Sequence, residues 1–331
     1  MRRLLLAVAA CAAVLAAPAS AAAASWARAQ IAAVTEAGVF TATPQTFRPD
    51  APLTAGTLAR VVATLDRQPA APPADPAAGV SIAELDAALV RAAGLGDAAH
   101  RFYLGARAAG LAPPGRFGTE TVARLLGLRV DHPPAQESLE LQPQETATRA
   151  EAAYSVAALL RLDAGAAQAM EEASHAFVPP ALTPAQREVL HTALSLIGYP
   201  YVWAGTDERT DRGFDCSGFV WRVFKVATYP DLPGLADAIV GRTTMEMSAQ
   251  VPRGERIPLE RLAPGDVLFF GHGPSSKPSA IDHAGIYLGD GWFVHSSGEG
   301  VALAPLSGGY RDGFAWADRP LARAQQDPPN E

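Results

Sequence analysis

The texture of the chain changes once along its length, and that change limits the possible folds more than any other feature. From about residue 25 to 180, apolar residues recur at helical spacing in Ala-, Leu- and Val-rich segments. After residue 198 they come in short runs such as VLFF (267–270), AGIYL (284–288) and WFVH (292–295), broken by glycine-containing turns. This predicts a small, mostly α-helical region followed by an α+β domain from about residue 182. Three segments open with a hydroxyl residue followed three positions later by Glu or Gln: Ser81 with Glu84, Thr148 with Glu151 and Thr183 with Gln186. Each has the signature of a capping box at a helix start.

Punctuation divides the chain further. Residues 1–24 carry Arg2 and Arg3, an apolar stretch from Leu4 to Ala17 and small residues with A-x-A spacing, the pattern of a cleaved signal peptide. Residues 25–162 form the helical region, with a Pro/Ala-rich linker at about 68–79. Residues 163–181 read as a second linker, 182–319 as the α+β domain and 320–331 as a disordered tail. Beyond the signal segment no apolar stretch is long enough to span a membrane. Loss of residues 1–24 removes two arginines and no acid, taking the formal charge from −7 to −9. Such an acidic chain is a poor ligand for nucleic acid.

With Cys11 in the signal segment, Cys216 is left as a single thiol, so no intramolecular disulfide can form. An exported chain keeps such a thiol either as a small buried hydrophobe or for use. Asp215 is a good N-cap and the FVWRVF run supplies a helix, which puts Cys216 in a first turn where free N–H groups favour a thiolate. A thiolate nucleophile also needs a histidine. His283 opens one expected strand and His295 closes the next, around Gly289-Asp290-Gly291. A three-residue loop sets Leu288 opposite Trp292 and His295 opposite Gly285, placing both imidazoles on one face. A two-residue Asp290-Gly291 turn pairs Gly289 with Trp292 and puts them on opposite faces. In the first register one histidine can serve Cys216 while the other orients it. A zinc site from Cys216, His272, His283 and His295 lacks the paired short spacings of structural zinc, so neither metal nor cofactor is expected.

Residues 182 to about 318 resemble the NlpC/P60 cell-wall cysteine peptidases. The matching segments are Ile197-Gly198-Tyr199-Pro200-Tyr201-Val202-Trp203, Phe214-Asp215-Cys216-Ser217-Gly218-Phe219 and Leu262-Ala263-Pro264-Gly265-Asp266-Val267. They are followed by Asp282-His283-Ala284-Gly285-Ile286-Tyr287-Leu288-Gly289 and Phe293-Val294-His295. The resemblance implies a papain-like α+β fold, with the helix bearing the cysteine packed on an antiparallel sheet. It implies Cys216 as nucleophile, His283 as base and His295 as orienting residue. Tyr201, Asp215, Ser217, Arg242 and Thr244 are implied as substrate-binding residues. The implied activity is hydrolysis of peptidoglycan stem peptides, commonly between D-glutamate and the diamino acid. Ala204 replaces the first glycine of the family's W-G-G, and the stretch 271–280 is longer than the family's loop.

Residues 25–65 resemble an S-layer homology repeat, and Leu141–Leu160, with Thr148-Arg149-Ala150-Glu151, resembles the end of another. That likeness implies contact with secondary cell-wall polysaccharide through Arg149 and Glu151; a capping box explains Thr148 and Glu151 equally well. The expectation is a secreted, cell-wall-associated peptidase. The rivals are a thiol acyltransferase or amidase on the same fold, and a wall-binding protein whose peptidase domain is idle.

Overall fold

The computed structural model describes residues 25–326, so the expected signal segment (residues 1–24) and residues 327–331 lie outside it. The N-terminal region holds α1 (Arg28–Glu36), α2 (Ala55–Asp66), α3 (Ile82–Ala92), α4 (Gly96–Ala108), α5 (Phe117–Leu125), α6 (Arg149–Leu159) and α7 (Ala164–Ala176). Three short extended pieces bridge one another in a ring, through Pro52 with Thr148, Thr54 with Gly79 and Ser81 with Thr146. Each runs straight into an N-cap. The side chains of Thr54, Ser81 and Thr148 accept the N–H groups of Thr57, Glu84 and Glu151, closing the first turns of α2, α3 and α6. Three helix starts are therefore interlocked around one centre. The start at Ser81-Ile82-Ala83-Glu84 parallels Thr148-Arg149-Ala150-Glu151, with a buried Ile82 where the latter has Arg149.

The capping boxes at Ser81 and Thr183 are complete, but the one at Thr148 is half made. Glu151 does not reach back to its cap because its carboxylate turns inward, 3.7 Å from Arg129 and 3.3 Å from His132. It joins a buried cluster in which Arg129 pairs with Asp86 at 2.8 Å and Arg124 with Glu120 at 3.2 Å. Burial pushes the Asp86 carboxyl up, and Arg129 opposes that shift.

The C-terminal domain follows as α8 (Pro184–Ser195), β1 (Thr206–Asp207), β2 (Gly213–Phe214), α9 (Cys216–Trp221), α10 (Thr244–Ala249), β3 (Val267–Phe270), β4 (His283–Gly289), β5 (Trp292–Ser297), β6 (Gly300–Pro305), α11 (Gly308–Gly313), β7 (Phe314–Asp318) and α12 (Pro320–Gln326). Strands β6-β5-β4-β3-β7 form one antiparallel sheet. One of its faces joins the main core with Phe214, Phe219 and Val220, while the other carries a smaller cluster of Leu268, Phe270, Phe293 and Phe314. The arrangement is the α+β fold expected.

Two expected boundaries are corrected. Residues 163–181 are not a linker: Asp163 caps α7, Met170 and Ser174 are buried, and Arg101 pairs with Glu171. The segment looks like a break because it is built of small residues; its helix has only a narrow face to bury. It delivers Phe177 into an aromatic seam with Phe102 at 5.3 Å and Trp292 at 5.4 Å, which welds the N-terminal region to the sheet. Likewise residues 320–326 are helical rather than disordered. Leu321 is buried, and Arg323 holds the Asp318 carboxylate at 2.6 Å and the Ala238 carbonyl at 2.5 Å.

Candidate active site

The first turn of α9 is built around Asp215, whose carboxylate accepts the Gly218 N–H at 2.5 Å and the Ser217 hydroxyl at 2.9 Å. Gly218 is obligatory in this packing, because a Cβ there would lie 1.8 Å from the Gly205 carbonyl oxygen. Cys216, with 9% of its surface exposed, is thereby fixed at the helix start. Its sulfur lies 3.9 Å from the Asp282 carbonyl oxygen, and the Ala284 N–H beside it favours the charged thiolate. Those two residues flank His283, so the thiol is docked onto the opening of β4.

The hairpin resolves the two registers in an unexpected way. Gly289 pairs with Trp292 across Asp290 and Gly291, both at positive φ (50° and 75°), so the turn is the two-residue one. A bulge between Tyr287 and Gly289 then shifts the ladder by one residue, so Tyr287 pairs with Phe293 and Gly285 with His295. The bulge restores the register that the three-residue loop would have produced, and both imidazoles share a face. His283 Nε2 and His295 Nδ1 are 2.9 Å apart with the rings nearly perpendicular. With Nε2 engaged, Nδ1 of His283 is the nitrogen left to receive a proton. Nε2 then carries the hydrogen and donates to His295, which fixes the His295 proton on its own Nε2.

Burial governs the charges. It pushes the Cys216 thiol up to about 11, with Asp215 adding to the shift and the N–H groups of Ala284, Ser217 and Cys216 opposing it. The thiolate expected at the helix start is therefore not the resting form, because desolvation outweighs the field of the helix start and its N–H groups. Burial lowers His283 to about 4, against the pull of Asp282 and Glu299. His295 sits well below its usual value through burial and the neighbouring His283. At neutral pH the site rests as a thiol beside two uncharged imidazoles.

A cleft of about 670 Å3 opens over the sulfur, and every residue lining it lies between Tyr201 and Asp282. Tyr201, Asp215, Ser217, Arg242 and Thr244 all border it. The Tyr201 hydroxyl is pushed above its normal value by burial, then by Cys216 and Asp215, so it remains a proton donor. Arg242 donates to the Ser217 hydroxyl at 2.7 Å, the Ala204 carbonyl at 3.0 Å and the Asp215 carboxylate at 3.3 Å, making one polar floor of three expected binding residues. Thr244 is different. Its buried hydroxyl donates to the Ile281 carbonyl at 2.9 Å, so it braces the cleft wall instead of facing a ligand.

Sequence reasoning passed over Trp203 and Met245 as cleft residues. Trp203 is 68% exposed at the rim, the inverse of a core tryptophan, and Ala204 beside it has φ of 60°, a left-handed conformation. The extended loop 271–280 contributes His272, Ser279 and Ala280 to the lining. Their signal was the length of that loop. No group of three metal-ligating side chains occurs among the described residues.

The two polymer-binding candidates part company. Glu151 is buried in the cluster with Arg129 and His132, where a polymer cannot reach it, because it closes the inner end of its repeat. Arg149 lies outward, stacked on Phe47 at 4.7 Å and Phe40 at 5.5 Å, with Nε donating to the Phe47 carbonyl at 2.6 Å. Arg48 and Arg60 stand near enough to lower its pKa, after burial itself.

Comparison with known proteins agrees with this division. Residues 198–319 match the NlpC/P60 family, and residues 19–56 match the S-layer homology domain. The chain is 32% identical over 144 residues to a gamma-D-glutamyl-L-lysine dipeptidyl-peptidase of Bacillus cereus, covering 42% of this chain and 38% of that protein. It is 35% identical over 157 residues to the probable endopeptidase YafL of Escherichia coli, covering 46% and 57%. A crystal structure of an NlpC/P60 family protein from Bacillus cereus aligns at 32% identity over 42% of this chain and 41% of that one, with a TM-score of 0.33. The chain thus spans between about two fifths and three fifths of the length of these relatives.

Proposed function

We propose, from the premise that its C-terminal domain belongs to the NlpC/P60 family, that this chain is an exported peptidoglycan hydrolase. It acts as a cysteine endopeptidase on stem peptides, at the bond between D-glutamate and the diamino acid. The observation that carries this is the seating of the Cys216 sulfur against the Asp282 carbonyl, immediately before a His283 already bonded to His295.

The chemistry follows from the resting charges. As the substrate carbonyl approaches, the Cys216 proton passes to Nδ1 of His283 and the sulfur attacks the carbonyl carbon. His295 accepts the Nε2 hydrogen throughout, which holds the ring while it is charged. The negative charge that develops on the carbonyl oxygen meets N–H groups at the start of α9 and the protonated Tyr201 hydroxyl. His283 then returns its proton to the leaving amine, leaving an acyl group on sulfur, and a water activated by the same nitrogen releases it. Arg242, Asp215 and Ser217 form the floor on which the polar stem peptide lies.

The test is digestion of purified muropeptides followed by mass spectrometry. The expected product has a new amino terminus on the diamino acid; intact muropeptides throughout would overturn the assignment. The same assay run against pH checks the mechanism. His283 is competent as a base only when neutral, so activity is present above its pKa and lost as pH falls through it. The acid limb of kcat/KM should therefore lie near pH 4 rather than 6.5.

The N-terminal region is proposed to hold the enzyme at the wall through secondary cell-wall polysaccharide, with the Arg149, Arg48 and Arg60 surface meeting acidic sugars. Co-sedimentation with purified walls should fall at least about tenfold in Arg149→Ala, the loss expected for an interfacial arginine. Unchanged sedimentation would rule that surface out.

A further inference from the structure

Helix α11 is almost wholly exposed. From Ser307 to Asp312 every residue faces solvent except Tyr310, which is half-buried. Gly308 has φ of 50°, and the end of the helix is tied to the residue after β3 through the Gly313 carbonyl, which accepts the Gly271 N–H at 2.8 Å. A short helix with a single inward side chain has little to contribute to the core. What matters is where that side chain goes.

The Tyr310 ring lies 5.1 Å from His295 and 6.1 Å from His283. It also packs 5.0 Å from Phe293 and 5.7 Å from Phe270, which themselves contact His295 at 4.7 Å and His283 at 5.6 Å. The three aromatic rings form a box over the paired imidazoles, and Tyr310 is by far the most exposed of them. We propose that Tyr310 is a positioning residue of the peptidase: its ring closes the box, excludes water from the His283–His295 hydrogen bond and holds the base facing Cys216. This rests on the peptidase assignment and deepens it. The box supplies the apolar surroundings that keep both imidazoles uncharged. The titratable groups facing them are Cys216 from α9, Asp282 at the start of β4, Glu299 from the β5–β6 turn and Tyr310 itself. Asp282 and Glu299 favour a charged imidazole, so removing the lid lets water and these carboxylates act together.

The experiment follows the imidazole signals by NMR through an acid titration in the wild type, Tyr310→Phe and Tyr310→Ala, beside the pH dependence of kcat/KM. Tyr310→Phe, which keeps the ring, should titrate as the wild type does. Tyr310→Ala should raise the His283 midpoint by at least about one pH unit, with the acid limb of activity moving by the same amount and thermal stability little changed. A folded Tyr310→Ala that titrates like the wild type would overturn the proposal, as would a Tyr310→Phe shifted as far as the alanine variant. Should Tyr310→Ala fail to fold, the wild type alone decides. The His283 Nε2 proton should exchange slowly enough to be seen as a separate ring N–H signal at neutral pH, and its absence would overturn the box. The titration needs no substrate, so failure of the peptidase assignment would appear separately, as uncut muropeptides beside normally titrating imidazoles.

Discussion

Cys216→Ala is expected to lower kcat/KM on muropeptides by at least about 10^4-fold while leaving the protein folded. At about 1.4 kcal/mol per factor of ten, this is a loss of more than 5 kcal/mol of transition-state stabilisation. The fold should survive because α9 is capped by Asp215 and not by the cysteine, and the exchange removes one sulfur from a site that borders the cleft. His283→Ala should cost a comparable factor. Combining the two should add little, since a base without a nucleophile and a nucleophile without a base are equally idle. Mass spectrometry of the digests beside thermal melts checks both halves. A Cys216→Ala variant that still cuts would remove the thiol from the mechanism. A double variant whose loss equals the product of the single losses would show that the two residues act apart.

The second large effect concerns Arg124, which joins the two regions. Its side chain is 3% exposed and donates to the Gly198 carbonyl at 2.5 Å and to the Glu299 carbonyl, while pairing with a fully buried Glu120. Arg124→Met fills the same space but strands the Glu120 carboxylate and two carbonyl oxygens away from water. Breaking one side of a buried pair costs about 3–5 kcal/mol, which for a chain of this size is a fall in Tm of roughly 4–7 °C. Glu120→Leu combined with Arg124→Met should recover part of the loss, because the unpaired charge is then gone. A single variant melting within about 1 °C of the wild type would show that this contact carries no stability. Activity should fall as well, since Gly198 leads to Tyr201 and Glu299 follows the strand that bears His295.

That junction marks a limit of what can be read from the chain alone. Cys216, His283 and His295 are legible because their local signals are strong: an N-cap before a lone thiol, and two histidines at either end of a hairpin. The bulge at Tyr287–Gly289 is not legible, because turn chemistry points to one register and the packing of two faces selects the other. Glu151 matches a binding motif letter for letter, yet its direction depends on Arg129, 22 residues earlier, and it ends up buried. Thr244 likewise sits in the cleft wall with its hydroxyl committed elsewhere.

The division between the two sources has a physical basis. Helix starts, strand runs, the lone thiol and the order of the five motifs depend on residues within a few positions of one another, where steric and capping preferences act without reference to the rest of the molecule. Local pattern is therefore enough for the fold class, the candidate nucleophile and its two histidines. The charge state of those groups, the use of Tyr310 as a cover and the welding of the repeats to the sheet through Phe177 and Arg124 were decided only by tertiary structure. Desolvation and the satisfaction of buried polar groups depend on which distant side chains close over a site, and no local pattern records that.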